Sequence, residues 1–422
     1  MKMTIALLSL LLLLSAVPPS ASSQGEAAVP FLLLSPSPET NGMAGISVAV
    51  QRADPLSSIF SPAQVGLASL STGIAGSFYP EETRWEGQMI SISPAYKAWA
   101  ARAGFLLNDF VKMPVRLGFG LAYHRVDIDY GEFAVTGPNG PEIIGTFDSN
   151  EHATGLTLGV GFEYLVRAGF GYTFRSITSN LGAFGTESGH ITTVTAEAPA
   201  KDYSGFLLLP VVDLVDAATG GSTEFFGVIR PFADLSLGFG MNSIGDKIVY
   251  VDAAQADPLP RTAREGIAVA GGLRLQGWEL GGATWSREGE DLLVVRQNNG
   301  TWEYQSGFGD LEFGNNVVAG NSSGNVGIRT GWQLRLGEFF TYRQGTYRQE
   351  YNNYETEGIT FQLAGILKGI AYAAGKEAPS WLLFARDHMD VQYHQAEHTS
   401  QMYGVDGTPY KGLTVVITVT PI

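Results

Sequence analysis

The sequence predicts an all-β protein, a transmembrane antiparallel up-and-down β-barrel of about 12–16 strands in a bacterial outer membrane. Three observations predict this fold. The chain begins with an export signal, and several later segments place an apolar residue at every second position. The rest of the chain lacks the uninterrupted apolar run of about 18 residues that a membrane-spanning helix needs.

The N-terminal segment has the three parts of a secretory signal peptide. Lys2 supplies a positive start, residues 5–14 are apolar throughout, and Ala21, Ser22 and Ser23 provide the small residues of a cleavage site. A membrane anchor is the alternative, but the apolar run is shorter than the roughly 20 residues of a spanning helix. We therefore expect residues 1–23 to be removed. The chain has no cysteine, which excludes a lipoprotein anchor and disulfide bonds.

The composition fits a protein that faces lipid. Charged residues make up 16% of the chain, against roughly 25% in soluble domains, and 53 of 422 residues are glycine. The net charge of −15 argues against a nucleic-acid partner, because phosphates select basic surfaces. The lipid of the outer membrane is the first expected partner.

Alternation is clearest in residues 156–164, where every even position is apolar and the odd positions carry Thr, Gly and Glu. It recurs in residues 115–123, 166–175 and 326–336. The second face is rich in Gly, Arg and Gln, which suits a crowded lumen, whereas a soluble β-sandwich would carry Lys, Glu and Thr there. The sheet must then close, because lipid cannot satisfy an open edge.

Two features of the strands are left open. No turn signal separates Glu163 from Arg167, although the alternating run there is too long for one strand. The apolar phase changes between Tyr123 and Val126, which predicts either a β-bulge that opens the wall sideways or the point where a strand leaves the membrane. Asp127 favours the second interpretation. Residues 205–215 and 359–372 are further strand candidates, and polar inserts at 134–154, 178–204, 285–301 and 375–412 predict surface loops.

The chain divides into the signal peptide, an N-terminal leader and hatch (24–75) and the barrel (76–422). Residues 41–70 are rich in Gly and Ala, lack alternation and contain two prolines after polar residues, so we expect them to fold inside the lumen. Pro62 should set a turn and Gly66 should allow close backbone approach; ordinary lumen packing is the equally weighted alternative. The candidate binding residues of the hatch are Asp54, Ser58, Phe60, Pro62, Ala63, Gly66 and Leu67.

No catalytic motif is present, so neither an enzyme nor a cofactor is expected. His394 and His398 would lie about 13 Å apart on an extended strand, too far to share a metal ion, and we expect them to be solvated loop residues. Four arginines of the alternating segments either bias the lumen towards anions or pair with Glu163 and other carboxylates, and pairing is favoured. They are Arg167, Arg175, Arg329 and Arg335.

Three stretches carry a family resemblance. They are RADPLSSIFSPAQVGLA (52–68), YTFRSITSNL (172–181) and GFGMNSIGDKIVYVDAAQADPLPRTARE (238–265). The first resembles the N-terminal region of the FadL-like barrels, and the other two resemble the PorV/PorQ branch of that superfamily. The third is the most specific.

The resemblance implies a 14-stranded barrel with an N-terminal hatch. PorV-type proteins act in type IX secretion, where they pass cargo that bears a C-terminal signal from the translocon to the attachment complex. We expect this non-enzymatic role first, with the translocon, cargo or attachment proteins as partners. A FadL-like transporter of hydrophobic small molecules is the alternative, and an orphan structural barrel is the third possibility. Four residues of the third stretch are expected to shape one loop: Asn242, Asp246, Asp252 and Pro258.

Overall fold

The computed structural model describes residues 27–84, 93–137, 142–185, 191–225, 227–251, 256–297, 301–350, 352–399 and 407–419. The expected signal peptide lies outside this range, so its cleavage stays a prediction.

Fourteen strands of the described chain form one antiparallel barrel. They are β1 (Gly73–Phe78), β2 (Ala95–Leu106), β3 (Arg116–Thr136), β4 (Ile143–Glu163), β5 (Arg167–Gly185), β6 (Ile191–Pro210), β7 (Ile229–Gly245), β8 (Thr262–Leu275), β9 (Trp278–Leu292), β10 (Val326–Leu336), β11 (Phe340–Arg348), β12 (Asn353–Gln362), β13 (Met389–His398) and β14 (Pro409–Thr418). Each strand pairs with its neighbours in sequence. Three short strands lie outside this set: Thr83–Arg84, Val294–Arg296 and Trp302–Tyr304.

The short strand β1 closes the sheet. Gly76 pairs with Val415 of β14 on one side and with Ala101 of β2 on the other. A closed sheet has no unpaired edge, which is what a β-structure needs in lipid.

The described helices are α1 (Pro38–Asn41), α2 (Ala63–Ala68), α3 (Val211–Thr219), α4 (Leu363–Ala374) and α5 (Ser380–His388). Shorter 3₁₀ turns occur at Pro30–Leu33, Pro55–Ile59, Leu107–Asp109 and Gly375–Glu377, and a π-turn at Phe313–Val318. No helix in the described ranges combines the length and apolar character needed to cross a membrane.

The outer face of the barrel carries an apolar belt. On β4, Leu158 and Val160 are exposed, whereas Thr157, Gly159 and Gly161 between and beside them are buried in the lumen. The predicted alternation, with large apolar residues outside and small or polar residues inside, is therefore confirmed. A closed barrel with this exterior is a bacterial outer-membrane protein.

Above the belt the same strands continue, but there the polar side chains face outward and the apolar side chains face the lumen. On β3, Tyr123 faces outward, but further along the strand Asp127 is on the outer face and Val126 and Ile128 are buried inside. The pairing of β3 with β2 and β4 is unbroken until Asp129, so no bulge lies between residues 123 and 126. The phase change marks the place where the strand leaves the membrane.

This reversal overturns the loop predictions at 134–154 and 178–204. Strands β3 to β6 run through most of both segments. Their outer faces are polar because they stand in water, and small residues such as Ala196 and Ala198 line the inner face. The two faces of these strands differ little in hydrophobicity, so the sequence there resembles that of loops. The predicted loops at 285–301 and 375–412 are also wrong in part, because β9 extends to Leu292 and α5 and β13 lie within the second segment.

One end of the barrel has short connections. The turn between β4 and β5 contains only residues 164–166, and the ion pair between Arg167 and Glu163 (2.6 Å) spans it. The long alternating run therefore does break into two strands here, although the sequence shows no turn signal. Short turns are typical of the periplasmic end and longer loops of the extracellular end. Three connections at the periplasmic end are longer or helical. There the strand predictions for 205–215 and 359–372 are confirmed as far as Pro210 and Gln362 and wrong beyond these residues, because α3 and α4 begin at Val211 and Leu363.

Candidate functional site

The lumen is filled by the N-terminal segment 27–72, which we call the hatch. It contacts the inner wall on several sides, since the Ala63 amide donates to Ser204 of β6 (2.7 Å) and the Ala44 amide donates to Thr356 of β12 (2.8 Å). The Ser47 amide donates to Glu288 of β9 (2.8 Å). The predicted placement of the N-terminal segment inside the barrel is thus confirmed.

Helix α2 lies against a surface of glycines on β3, β4 and β5. A Cβ atom at Gly120 would lie 2.5 Å from the Val65 carbonyl oxygen, and one at Gly169 would lie 2.8 Å from the Ala63 carbonyl oxygen. Only glycine permits this approach. The same holds for Gly66 of the hatch, whose backbone meets that of Val160 and Phe170. The glycines of the inner face therefore allow the hatch to pack directly on the wall. The close backbone approach predicted at Gly66 is part of this contact. The wall glycines in this surface are Gly118, Gly120, Gly159, Gly161, Gly169 and Gly171.

A buried ion-pair cluster ties the first part of the hatch to the wall. Glu39 of α1 binds Arg343 of β11 (2.6 Å) and lies 3.9 Å from Arg52. Burial by itself raises the pKa of Glu39, but Arg343 and Arg52 outweigh it and hold the pKa at about 2. The carboxylate is therefore ionised at every physiological pH.

A second cluster joins the hatch to β8, β9 and β10. Glu288 accepts hydrogen bonds from the amides of Ser47 and Val48 and pairs with Arg264 (3.3 Å). Arg329 pairs with Glu290 (2.8 Å) and donates to the Ala44 carbonyl (2.9 Å).

All four arginines singled out in the sequence are paired. Arg175 binds Asp202 (2.8 Å) and donates to the Ile59 carbonyl (2.9 Å), while Arg335 binds Glu279 (2.7 Å). Arg167 and Arg329 are paired as well. Of the two alternatives, pairing with carboxylates is therefore confirmed, rather than unpaired arginines that bias the lumen towards anions. Sequence reasoning missed Glu39, Arg52, Arg264, Glu288 and Arg343. For Arg343 the available signal was a charged residue at an inward position of an alternating strand, next to the outward Tyr342.

The seven predicted hatch residues are all buried in the lumen. Asp54 accepts hydrogen bonds from the Ser37 hydroxyl (2.5 Å) and the Leu56 amide (2.9 Å), so it fixes the fold of the hatch. The Ser58 hydroxyl donates to the Pro55 carbonyl (2.7 Å), and the Arg264 guanidinium lies 4.2 Å above the Phe60 ring. Pro62 immediately precedes α2. A binding role for these residues stays a prediction.

The predicted loop residues of 238–265 do not all belong to a loop. Asn242 belongs to β7, is buried, and donates to the Ile59 carbonyl (3.4 Å), so its assignment to a loop is wrong. Asp246 is exposed at the start of the loop, and the Pro258 carbonyl accepts from the Ala28 amide (2.9 Å). Asp252 lies outside the described residues.

The two histidines are also lumen residues rather than solvated loop residues. The His394 ring nitrogens bond Thr360 (2.9 Å) and Thr414 (3.1 Å), and the His398 ring packs against Tyr354. Both belong to β13. Among the described residues no group of three or more His, Asp or Glu side chains is placed to hold a metal ion.

The extracellular half of the lumen contains an extended apolar cluster, among which a few polar side chains such as Glu151 and Ser179 are also buried. Inward-facing residues of β2 to β6 line it: Tyr96, Ala98, Ala100, Val126, Ile128, Ala153, Ile177, Ala196, Ala198 and Ala200. The hatch residues Val29, Phe31, Leu32, Leu56 and Ile59 fill it. A small cavity remains between the two sets, and His124 and Arg175 also line it. Lumens of membrane barrels are usually polar, so this apolar chamber is the distinctive feature of the interior.

The periplasmic half of the lumen is polar and partly open. A cavity of about 680 Å³ lies beneath the hatch and extends to rim residues such as Arg116 and Thr418. Charged side chains of both signs line it, including Arg102, Arg274 and Asp234. The hatch therefore separates an apolar chamber from a hydrophilic vestibule.

Comparisons with known proteins do not identify a family. No family model and no curated protein matches the chain. Among solved structures, the toluene transporter TbuX of Ralstonia pickettii is 12% identical, with 90% of this chain and 96% of that chain covered and a TM-score of 0.41. A FadL homologue of Pseudomonas aeruginosa is 10% identical, with 94% and 98% covered and a TM-score of 0.37. The β domain of the Bordetella autotransporter BrkA is 8% identical, with 82% and 99% covered and a TM-score of 0.35.

Proposed function

We propose that the protein is a FadL-like outer-membrane transporter of hydrophobic small molecules. The observation that carries the proposal is the apolar chamber, because a wall of inward Ala, Val, Ile and Tyr side chains binds solutes by burial of apolar surface. A polar pore for ions or sugars needs no such lining.

The chain's own N-terminal segment occupies the chamber. Phe31 and Leu32 are buried there against Tyr96, Val126 and Ala153. A solute that binds in the chamber must displace this segment, and the polar vestibule below then receives it on the periplasmic side. Transport of this kind needs no covalent chemistry.

The type IX secretion role, which was the first expectation, has no support from the comparisons. It rests on the resemblance of residues 172–181 and, above all, of residues 238–265, and stays a prediction. The same holds for a translocon, signal-bearing cargo or attachment proteins as partners.

Uptake of labelled toluene and hexadecanol by cells whose outer membrane lacks other hydrophobic channels tests the proposal. Wild-type protein should accelerate uptake. Ile177→Asn, which places an amide in the chamber, should reduce uptake about tenfold, since a lost apolar contact of about 1.4 kcal/mol is a factor of ten. Ser176→Asn is the matched control, because Ser176 is the next residue on β5 and is exposed on the outer face. It should behave as wild type.

Two outcomes would contradict the proposal. In the first, both variants and the empty membrane show the same uptake as wild type. In the second, affinity capture from detergent recovers a large translocon barrel or signal-bearing cargo while no hydrophobic solute co-purifies; that result would restore the secretion role.

A further inference from the structure

The apolar belt is not equally tall around the barrel. On β4 the outward apolar residues run from Leu156 to Phe162, seven residues or about 23 Å along the strand. On β12 they are only Ile359 and Phe361, followed towards the extracellular side by Glu357, which accepts a hydrogen bond from Tyr342 on the same face (3.2 Å). Three residues cover about 10 Å. Strand β12 therefore supplies much less lipid-facing surface than the apolar band of about 25 Å that a membrane barrel needs.

Helix α4 begins where β12 ends and continues its outer face. Phe361 is exposed outward, and Leu363, two positions on, is exposed as well. Ile366 and Ile370 follow at intervals of three and four residues, so the three side chains form one exposed stripe. A helix with its side chains is about 10–12 Å across, which matches the shortfall of the belt on β12.

The opposite face of α4 is fixed to the periplasmic rim of the barrel. Gly365 packs on the backbone of Glu338 in the turn between β10 and β11, and Lys368 pairs with the Glu338 carboxylate (2.6 Å). The Ala364 amide donates to Asp390 of β13 (2.9 Å). These contacts hold α4 along the rim, so its exposed stripe has a defined direction.

Helix α5 repeats the arrangement. Trp381 and Phe384, three residues apart, are 68% and 58% exposed, whereas Leu382 between them is buried. The His388 ring bonds the Thr418 carbonyl at the end of β14 (2.9 Å), which anchors the helix to the rim. Trp at the boundary between apolar and polar layers is typical of membrane interfaces.

We propose that the α4–α5 hairpin is part of the membrane-embedded surface and that its apolar stripe is covered by phospholipid of the periplasmic leaflet. The stripe is continuous with the outer belt, which already faces lipid, and it lies where β12 falls short. The hairpin therefore completes the belt at β12. This inference is independent of the proposed transport function.

Spin-label accessibility tests the proposal in the purified mature protein reconstituted into vesicles of phosphatidylethanolamine and phosphatidylglycerol. The chain has no cysteine, so single-cysteine variants give one label each. Ile370→Cys and Trp381→Cys probe the two helices. Leu158→Cys in the belt is the lipid reference, and Asp148→Cys on the exposed outer face of β4 is the water reference.

Labels at 370 and 381 should be accessible to oxygen like the label at 158 and at least about fivefold less accessible to a water-soluble nickel chelate than the label at 148. Nickel accessibility equal to that at 148 would place the helices in water, as expected for a docking surface of a periplasmic protein. Protection from both reagents would mean that the stripe packs against the protein itself. Either result overturns the proposal, and a heat-dependent electrophoretic shift of each variant shows that its barrel has folded.

Discussion

Glu39 is a buried carboxylate whose interactions span the hatch and the wall. Its pKa of about 2 lies below the ordinary value of 4.5 because Arg343 and Arg52 outweigh the cost of burial. A group with a lowered pKa in the folded state stabilises that state above its unfolded pKa and loses this contribution as the pH falls towards the folded value. Glu39 therefore contributes about 3 kcal/mol to hatch docking at pH 7, and this contribution disappears between pH 4.5 and 2.

Substitution of Glu39 by Gln tests this assignment. We expect Glu39→Gln to weaken hatch docking by about 3 kcal/mol at pH 7, because Arg343 then stays buried without its carboxylate. The difference from wild type should be constant from pH 7 to about 4.5 and should narrow below that. Hydrogen exchange of hatch amides, corrected for intrinsic rates, measures both effects. Glu279→Gln, which breaks a wall pair with Arg335 outside the hatch, is the control and should leave hatch exchange unchanged. A difference that is independent of pH would refute the role of Glu39.

Gly120 offers a steric test of the hatch contact. Gly120→Ala places a Cβ atom 2.5 Å from the Val65 carbonyl oxygen, so α2 must shift. The expected cost is about 1–3 kcal/mol, seen as faster exchange or proteolysis of residues 60–70. Gly76→Ala is the matched control, since the nearest atom to its new Cβ is 3.9 Å away. Equal protection of the hatch in the two variants would show that the wall glycines do not hold it.

The sequence predicted some of these residue roles and missed others for a physical reason. The pairing of Arg167 with Glu163 is local, and Gly66 could be recognised because a helix that approaches a wall closely needs glycine. Glu39 and Arg343 are 304 residues apart, and neither alternation nor composition relates positions at that separation. Only the closure of the barrel around the hatch brings them together.

The hatch is the element that must move if the barrel transports solutes. A Cβ atom at Gly266 would lie 3.1 Å from the Cβ atom of Ala49. A disulfide needs about 3.5–4.5 Å between the two Cβ atoms, so a shift of the hatch by a few tenths of an ångström would allow the bond. In the double variant Ala49→Cys, Gly266→Cys, oxidation should join the hatch to β8 and reduce uptake of hydrophobic solutes about tenfold or more. Reduction should restore uptake. Each single-cysteine variant is a control and should not respond to oxidant. Full uptake by the cross-linked form would show that this part of the hatch stays in place during transport.

The elements differ in how strongly the sequence predicts them. Strands inside the membrane alternate strongly, so β4 and β5 were predicted from residues 156–175, and the hatch was recognised because it lacks alternation. Above the membrane the outer face is polar and the inner face carries small apolar residues, so the same strands resemble loops. Helix α4 continues the apolar pattern of β12 without a break, which is why residues 359–372 predicted a single strand.

At the scale of the whole molecule, each long strand passes through two environments. The lower part has apolar residues outside and glycine inside, while the upper part has polar residues outside and apolar residues inside. This reversal gives a barrel that stands above the membrane and encloses an apolar chamber in its extracellular half. On β4 the change falls between Thr154 and Leu156. The fold class could be predicted from the alternation in the lower part of the strands alone. The apolar chamber could be predicted only if the reversed alternation in the upper part had been recognised as well.

The position of this boundary can be measured with one substitution at two sites of the same outer face. Leu158→Arg places a charge within the apolar belt and should destabilise the barrel by about 2–4 kcal/mol, whereas Thr154→Arg should cost only about 0–1 kcal/mol. Denaturant titration in phospholipid vesicles gives both unfolding free energies. The two sites are four residues apart and both face outward, so strand propensity and register are matched and the difference reports the surroundings. A large cost at both sites would place the membrane boundary above Thr154, and a small cost at both would mean that the face around Leu158 is not in lipid.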